Sequence, residues 1–575
     1  MSRLKPLGVL VVLLFAACSR APNQETSKPA TIPAAAATPA MAAMPAMPAT
    51  LDDWAHGAQL FDGLGSFHRK ITTSSAEAQQ YFDQGMRLMW AFNHDESSRS
   101  FARAAQLDPK CAMCLWGLAL TVGPNYNMPM MAESRAKIAF TSLEQANKLL
   151  DGATAQERAL ITALKARYPN PTALDPSNEG PVLKAYADAM RQVAAQFPRD
   201  SDIQTMYAES MMNINAWKLW TPEGAPAPGT EDIVRTLQAV LADDPQHPGA
   251  NHYYVHAIEA SAHPEKAVPA AERLRGMMPA AGHLEHMPAH IMQRVGRYED
   301  ASEANRKGAN ADSQYLSKTQ PIDYYAMYVA HNFQFLAYSA AMEGRKAETL
   351  SAMKQMRAAF PEEALLAMPG IDWYGAEPYM ALMRFGLWDE ILAEPRPNAR
   401  LKAMTGGYLS AKATALAAKG RAAEARQSLD ELDKLRATIP ADAGAGNNTV
   451  HDVLNVAFLL ARSQIELAEH NRDAALATLV AAVAQEDKLA YDEPADWFLP
   501  VRHLLGAELL KAGQNAQAEA VYREDLRRNP DNGWSLFGLS QALRAQHKSA
   551  EAAATETKFR EAWKHADVTL TSSTL

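Results

Sequence analysis

The sequence predicts an all-α protein whose helices follow one another in pairs along one continuous array. From Leu51 onward, segments rich in Ala, Leu, Glu, Gln and Arg carry apolar residues at helical spacing and end at Pro or Gly. The alternation of apolar and polar residues that indicates strands is scarce. Landmark residues recur 34 positions apart, as Gly386 and Gly420 do. A repeat array accounts for a chain of 575 residues as a single extended body.

The composition excludes several classes of function. The chain is 48% hydrophobic, has a formal charge of −9 and contains only three cysteines, so it can bury a large core without disulfides. An acidic chain offers no basic surface for phosphates, and we therefore expect no nucleic-acid partner. The sequence also lacks a phosphate-binding loop, a dinucleotide-binding glycine motif, a serine-hydrolase elbow and a His-Glu-x-x-His motif. We expect no nucleotide cofactor.

Residues 1–17 have the organisation of an export signal. Arg3 and Lys5 precede an apolar run that is too short to span a bilayer and that ends at Cys18. The stretch Leu14-Phe15-Ala16-Ala17-Cys18 resembles a bacterial lipoprotein box, in which the cysteine is acylated and becomes the mature N-terminus. With Ser19 next, it is similar to lipoproteins of the Gram-negative outer membrane. The resemblance implies a lipid anchor on Cys18 and a protein facing the periplasm; an ordinary signal peptide cleaved elsewhere is the alternative.

The remaining chain divides by composition and repeat phase. Residues 18–50 are rich in Pro, Ala, Thr and Met with almost no charge, which predicts a disordered tether. Residues 51–77 lead into the repeats, residues 78–565 form the repeat array, and residues 566–575 form a polar tail.

The repeat resembles the tetratricopeptide family, whose 34-residue unit is a helix A, a tight turn and a helix B. In the segment 78–111, the small, aromatic, small and proline positions of that family are occupied by Gly85, Phe101, Ala104 and Pro109. Near the C-terminus, the same scheme is followed by Leu505, Gly506, Gly513, Ala518, Tyr522 and Pro530. The resemblance implies a right-handed α-solenoid, with insertions at 221–230, 314–329, 437–449 and 490–498. Such repeats mostly bind other proteins, so the resemblance alone does not define the function.

Histidines are concentrated in one stretch of the array. Six of the 16 lie between His252 and His290. His252 and His286 are 34 residues apart, and so are His256 and His290. In the family, positions 2, 5, 9 and 12 of helix A line the concave groove. The resemblance therefore implies that one groove is lined by His252, His256, Glu259, His283, His286 and His290.

Helix geometry supports the same grouping without the family. At about 100° per residue, each of the two three-residue sets falls within an arc of about 60° on its helix. Neighbouring helices pack about 8–10 Å apart, so imidazoles from both can surround one ion or two. The sequence therefore predicts a transition-metal site of Cu, Zn or Fe, against the alternative of a polar histidine-rich groove.

Two further residues are weaker candidates for the same groove. His331 falls at position 2 of the unit after an insertion, and Glu209 at position 9 of the unit before His252. Both assignments depend on repeat phase carried across an irregular stretch.

Cys111 and Cys114 form a Cys-x-x-Cys at the passage from one repeat into the next helix. A local disulfide is our first interpretation, free thiols the second and a soft-metal site the third.

The sequence thus predicts an envelope-anchored repeat scaffold whose concave groove carries a His-rich metal site. The alternatives are a metal-dependent enzyme that uses the site, and an adaptor without metal that binds an envelope protein or peptide in the groove. Enzymatic activity and the catalytic residues are left open.

Overall fold

The computed structural model describes residues 47–319, 325–368 and 370–575. The predicted export signal, Cys18 and most of the predicted tether lie outside these residues. The described chain is helical apart from a short antiparallel hairpin, in which β1 is Gly444–Ala445 and β2 is Asn448–Thr449, and three isolated bridges.

The helices follow in the order α1 Leu51–Ala55, α2 Ala76–Trp90, α3 His94–Leu107, α4 Ala112–Thr121, α5 Glu133–Asn147, α6 Ala155–Leu164, α7 Gly180–Gln196, α8 Ser201–Met212, α9 Thr230–Asp243, α10 Pro248–Ile258, α11 Val268–Leu274, α12 Gly282–His286, α13 Pro288–Arg294 and α14 Tyr298–Leu316. The second half continues with α15 Tyr325–Met342, α16 Lys346–Ala359, α17 Glu362–Ala367, α18 Glu377–Arg384, α19 Trp388–Ala393, α20 Lys402–Ala418, α21 Ala422–Arg436, α22 Val450–Ala468, α23 Arg472–Glu486, α24 Val501–Lys511, α25 Asn515–Arg528, α26 Gly533–Ala545 and α27 Ser549–Ala562. Short 3₁₀ turns occupy Leu150–Gly152, Asn213–Asn215, Pro264–Ala267 and Asp372–Ala376.

Consecutive helices pack against each other as helix-turn-helix pairs, beginning with α2 and α3 and ending with α26 and α27. Helices α12 and α13 together act as the first helix of one pair, with α14 as its second. The predicted all-α solenoid of tetratricopeptide-like repeats is confirmed.

In four of the pairs, a glycine forms the turn between the two helices. Gly296, Gly344, Gly386 and Gly420 each end the first helix of a pair with φ between 64° and 79°. This left-handed conformation suits glycine because a side chain would be strained there. At Gly344 a Cβ atom would also lie 2.2 Å from the Trp563 ring, so close packing excludes a side chain as well.

The N-terminal pair packs against the middle of the array. The Trp90 ring, at the end of α2, lies on Gly249 of α10, where a Cβ atom would come within 2.3 Å of it. Ahead of α2, the carbonyl of Gly63 accepts a hydrogen bond from the N–H of Ala280 at 3.0 Å. These contacts place the end of α2 directly over α10.

The C-terminal pairs also fold back onto the middle of the array. Trp534 Nε1 donates to the carbonyl of Ala341 at 2.8 Å, and Arg384 contacts His503 Nδ1 at 2.8 Å. The tail packs here too, because Asp567 accepts from the N–H groups of Lys346 and Ala347 at the start of α16. The solenoid is therefore tightly coiled, and other parts of the chain cover the inner face of its middle pairs.

Two of the predicted insertions meet inside the coil. Asp492 Oδ2 accepts from the N–H of Asn447 at 2.7 Å, and Asp496 Oδ2 accepts from Asn448 Nδ2 at 2.7 Å. Trp373 Nε1 donates to the carbonyl of Asp496 at 3.0 Å. The hairpin and the segment before α24 thus support each other and hold residue 493 in the interior.

Among residues 47–319, 325–368 and 370–575, no helix has both the length and the apolar character needed to cross a bilayer.

Candidate metal centre

Helix α10 presents the first two histidines. Its start is fixed by Pro248 at the first turn and by the His247 side chain, whose Nδ1 accepts from the N–H of Ala250 at 3.0 Å. His252 and His256 follow one turn apart on this helix. Glu259 caps its C-terminal end, one position beyond Ile258.

The second group of histidines lies on a helix that proline interrupts. Repeat phase predicts that His283, His286 and His290 lie on one helix, but the structure divides this stretch at Met287 into α12 and α13. Pro288 has no N–H to donate to the carbonyl one turn earlier. The N–H of His290 instead donates to the carbonyl of Met287 at 3.2 Å, which tightens the turn locally. His283 and His286 therefore lie on one segment and His290 on the next.

The structure brings together the six histidines of two trios. Trio A consists of His252, His256 and His283, and trio B of His286, His290 and His331, the last supplied by α15. In each trio, the three candidate ligand nitrogens lie within 4.8 Å of one another. The trios adjoin, since the rings of His256 and His290 are 5.5 Å apart and those of His283 and His286 are 5.8 Å apart.

In trio A, hydrogen bonds at Nδ1 leave the Nε2 atoms of two histidines without a partner. His252 Nδ1 donates to the carbonyl of Trp90 at 2.6 Å, and His256 Nδ1 lies 3.0 Å from Glu259 Oε1. Within the described chain, neither Nε2 atom has a hydrogen-bond partner, and neither nitrogen of His283 has one. Buried polar atoms are almost always satisfied, so this concentration of unsatisfied imidazole nitrogens is unusual.

In trio B, the Nδ1 atoms of all three histidines face oxygen atoms of neighbouring side chains. Asn305 Nδ2 donates to the carbonyl of Ala301 at 2.7 Å, which turns Asn305 Oδ1 toward His286 Nδ1 at 2.6 Å. His290 Nδ1 faces two carboxylates, Glu259 Oε2 at 2.9 Å and Glu493. His331 Nδ1 lies 3.2 Å from the side-chain oxygen of Gln334.

The contact between His286 and His290 is informative about what the trio can bind. Their Nε2 atoms are 2.7 Å apart. When both Nδ1 atoms donate to the acceptors beside them, both Nε2 atoms carry lone pairs, and two facing lone pairs repel. A cation beside both nitrogens removes this repulsion. If His286 or His290 instead carries its proton on Nε2, the same contact is a hydrogen bond between the two rings, so the geometry of trio B is compatible with a metal ion without requiring one.

Burial keeps the imidazoles neutral, which is the form that ligates metals. Five of the six histidines are between 0% and 3% exposed. Burial lowers the pKa of all six, to about 3 for His256 and about 4 for His331.

Two buried carboxylates accompany the histidines. Glu259 contacts one histidine of each trio, and Glu493 lies beside both Glu259 and His290. Burial raises the pKa of both carboxyl groups well above the ordinary value. Glu259 has two possible roles, because it also forms a candidate ligand group of its own with His256 and His290. The contacts with both Nδ1 atoms favour the role of orienting the rings.

Glu209 is not brought into the cluster, although repeat phase places it on the same groove. Its carboxylate accepts from Asn213 Nδ2 at 2.6 Å. The positive charge of Arg167 lies near it, and the candidate metal groups of the described chain do not include it. The hydrogen bond from Asn213 and the nearby charge of Arg167 therefore indicate a structural role for Glu209.

The outlying histidines have separate structural roles. His263 is exposed and lies 3.1 Å from Glu265 Oε1. His503 is buried between Arg384 and Asp525. His94 is the first residue of α3, and the helix is capped by the preceding Asn93.

Cys111 and Cys114 are joined in a disulfide at the start of α4, with their Cα atoms 5.3 Å apart.

Sequence reasoning missed the groups that orient the histidines. Asn305 lies on the second helix of its pair, and the acceptor from Trp90 is a main-chain carbonyl 162 residues before His252. Glu493 lies in an insertion, where repeat phase predicts no orientation for any side chain. The sequence predicts only that residues 490–498 form an insertion.

No family model matches the chain, and no curated protein matches it either. Solved structures with similar helical repeats include a human IFIT1 dimer with m7Gppp-AAAA, which is 14% identical over 78% of this chain and 90% of that one, with a TM-score of 0.32. The Cut9–Hcn1 hetero-tetramer of APC/C is 13% identical over 89% and 81%, with a TM-score of 0.32. Yeast Tom70 is 10% identical over 85% and 93%, with a TM-score of 0.28. Similarity at this level carries no information on function.

Proposed function

We propose that the protein is a metalloprotein of the cell envelope, in which a tetratricopeptide-like scaffold binds two transition-metal ions through trios A and B. One observation carries the proposal most strongly. Six imidazoles converge, five of them buried, and hydrogen bonds at the Nδ1 atoms of four of them turn the opposite ring nitrogen, Nε2, away from these partners.

The surroundings of the rings are those that metal sites require. A ligating histidine usually donates its second ring nitrogen to a carboxylate or carbonyl, which fixes the tautomer and the orientation of the ring. Here the main-chain carbonyl of Trp90 and the side chains of Glu259, Asn305 and Gln334 occupy these positions. A histidine-rich core without metal would have no need to leave the inner nitrogens of trio A unsatisfied.

The donor set suggests which metal is bound. Imidazole suits Cu, Zn, Fe and Ni, whereas Mg and Ca prefer oxygen ligands. By the Irving–Williams order, Cu(II) binds most tightly to a given set of nitrogen donors. We therefore place copper first, followed by zinc.

The repeat architecture supports a second, compatible role. Repeat solenoids present extended surfaces that bind other proteins. Five of the six clustered histidines are buried, so an envelope protein or peptide would bind through the outer faces of the repeats. A partner that binds equally well to a chain without its histidines would support this adaptor role.

The proposed location rests on the first 18 residues, which lie outside the described chain. The export signal and its resemblance to a lipoprotein box support attachment through Cys18 to the outer membrane, facing the periplasm. Radiolabelled palmitate should label the parent protein in cells and should not label the Cys18→Ser variant. Equal labelling of both would refute the anchor.

Metal content tests the proposal. The parent chain, a variant with all three histidines of trio A changed to Ala and the corresponding trio B variant are purified and reconstituted with Cu(II). Elemental analysis should find two ions per parent chain and one in each variant. The matched control changes three exposed histidines, His56, His263 and His565, to Ala and should retain two ions.

Circular dichroism of each variant shows whether it remains folded. Substoichiometric metal in the reconstituted parent would contradict the proposal, whether or not the variants fold. Loss of metal in the exposed-histidine control would contradict it as well.

A further inference from the structure

The two trios differ in how they meet solvent. His331 of trio B is the one clustered histidine that is partly exposed, whereas all three histidines of trio A are buried. His331 and His290 also line a cavity of about 280 Å³. The described wall of this cavity contains no residue of trio A. A solute in the cavity therefore meets trio B and not trio A.

Aromatic side chains separate trio A from the same cavity. Trp217 and Tyr328 line the cavity, and both also contact trio A. The ring centre of Trp217 lies 5.7 Å from that of His256, and the ring centre of Tyr328 lies 4.6 Å from that of His283. Rings at these distances pack in direct contact. Trp217 and Tyr328 therefore form a partition between the cavity and trio A.

Phe92 packs over trio A as well. Its ring centre lies 4.5 Å from that of His252, 5.8 Å from that of His256 and 5.6 Å from that of His283. One apolar side chain, itself 1% exposed, thus contacts all three rings. Interiors packed in this way leave few voids larger than a water molecule. An ion on trio A would therefore be enclosed by protein.

Three histidines leave a coordination position to fill. Each trio supplies three protein ligands. A transition metal with three protein ligands generally takes a fourth ligand, and in catalytic sites this ligand is water or a substrate. Imidazoles are neutral ligands and do not offset the charge of a divalent ion, which is the largest local charge in such a site. The vacant position therefore favours a small anion.

The neighbouring carboxylates do not occupy that position at trio B. Glu259 and Glu493 both contact His290 at Nδ1, whereas the Nε2 atom of His290 faces His286. The two acids thus lie at the opposite edge of the ring from the nitrogen that faces the rest of the trio. The fourth ligand of an ion on trio B would come from the cavity.

From these features we infer that the two metal sites are not equivalent. The ion on trio B has an exchangeable fourth position that a small anion takes from the cavity, whereas the ion on trio A is closed to solutes. The inference rests on the proposed function, since it concerns the ions that the trios bind. Chemistry on a dissolved substrate would take place at trio B.

Azide titration of the Cu(II)-loaded full chain tests this inference. Azide is a linear anion of three atoms. Its binding to Cu(II) produces a charge-transfer absorption band and alters the electron paramagnetic resonance signal of the ion. In the parent, azide should alter the signal of one of the two copper ions. The trio A variant, which keeps only the trio B site, should show the absorption band, and the trio B variant should not.

A substitution in the partition should open trio A. Trp217→Ala removes the indole that lies between the cavity and His256, and we expect azide then to alter the signals of both copper ions. Trp388→Ala is the matched control, because Trp388 is also a partly exposed tryptophan but does not line the cavity. This control should respond to azide as the parent does. The parent titration needs no substitution and tests the inference even if Trp217→Ala does not fold.

The outcomes separate the inference from the proposed function. A parent with two bound copper ions, of which both or neither respond to azide, would overturn the inference while the proposed function stands. An azide band in the trio B variant would do the same. A reconstituted parent that holds no copper would overturn the proposed function itself.

Discussion

Asn305 provides a direct test of whether hydrogen bonds at Nδ1 prepare the histidines for metal. Its Oδ1 lies 2.6 Å from His286 Nδ1, and its Nδ2 is held by the carbonyl of Ala301 at 2.7 Å. Asn305→Leu keeps nearly the same size and removes the acceptor. His286 is then free to adopt the tautomer whose Nε2 carries the proton and cannot ligate.

The expected loss can be bounded. Removal of a group that orients a metal ligand typically lowers metal affinity by about 10- to 100-fold, or about 1.4–2.7 kcal/mol. A His286 ring that keeps its proton on Nδ1 instead leaves an unsatisfied N–H in the core, which costs about 1–3 kcal/mol of folding stability. We therefore expect weaker binding at trio B, unchanged binding at trio A and a less stable metal-free chain.

Competitive titration of copper against a chromophoric chelator measures the two affinities, and urea unfolding measures the stability. Asn532→Leu is the matched control, because Asn532 is also 0% exposed but bonds to Asp525, which contacts His503 and none of the six clustered histidines. This control should lose stability and bind copper as the parent does. Parent-like affinity at both sites in Asn305→Leu would refute the reasoning.

Two further substitutions test how the coil supports the site. In Gly249→Ala the new methyl group meets the Trp90 ring, which should cost about 1–3 kcal/mol of folding stability and weaken copper binding at trio A. The control is Gly180→Ala, whose new methyl group meets no atom within 4 Å. Equal unfolding midpoints of the two variants would contradict close packing of Trp90 on Gly249. Burial by itself raises the pKa of Asp525, but the neighbouring His503 lowers it, and the net value is about 2 against an ordinary 3.8. Because the pKa of Asp525 is depressed in the folded chain, its ionised carboxylate stabilises the fold above pH 4, and this stabilisation is lost as the pH falls toward 2. Urea unfolding should find Asp525→Asn about 2 kcal/mol less stable than the parent at pH 7 and about 1 kcal/mol less stable at pH 3. A difference in unfolding free energy that does not change with pH would contradict this.

The repeat phase could be predicted because each repeat obeys local rules. Turn glycines such as Gly296 and Gly344 need a left-handed backbone, and small residues at close helix contacts recur with the same period. The same phase brought His252, His256, His286 and His290 onto neighbouring helices. The periodic pattern of a sequence therefore predicts which side chains share one face of a helix.

The closure of the coil could not be predicted from the sequence. Contacts such as that between Trp534 and the carbonyl of Ala341 join parts of the chain that are 193 residues apart, and no periodic pattern encodes them. Glu493 reaches the histidines only because of this closure. The interruption at Pro288 is visible in the sequence, but its effect on the direction of His290 depends on how α12 and α13 continue.

A crystal structure of the copper-loaded chain, with anomalous data collected at the copper edge, tests the central claim most directly. We expect two anomalous peaks in each chain. One should lie about 2.0–2.1 Å from ring nitrogens of His252, His256 and His283, and the other at the same distance from those of His286, His290 and His331. Crystals of reconstituted protein with no anomalous peak within bonding distance of these rings would contradict the account.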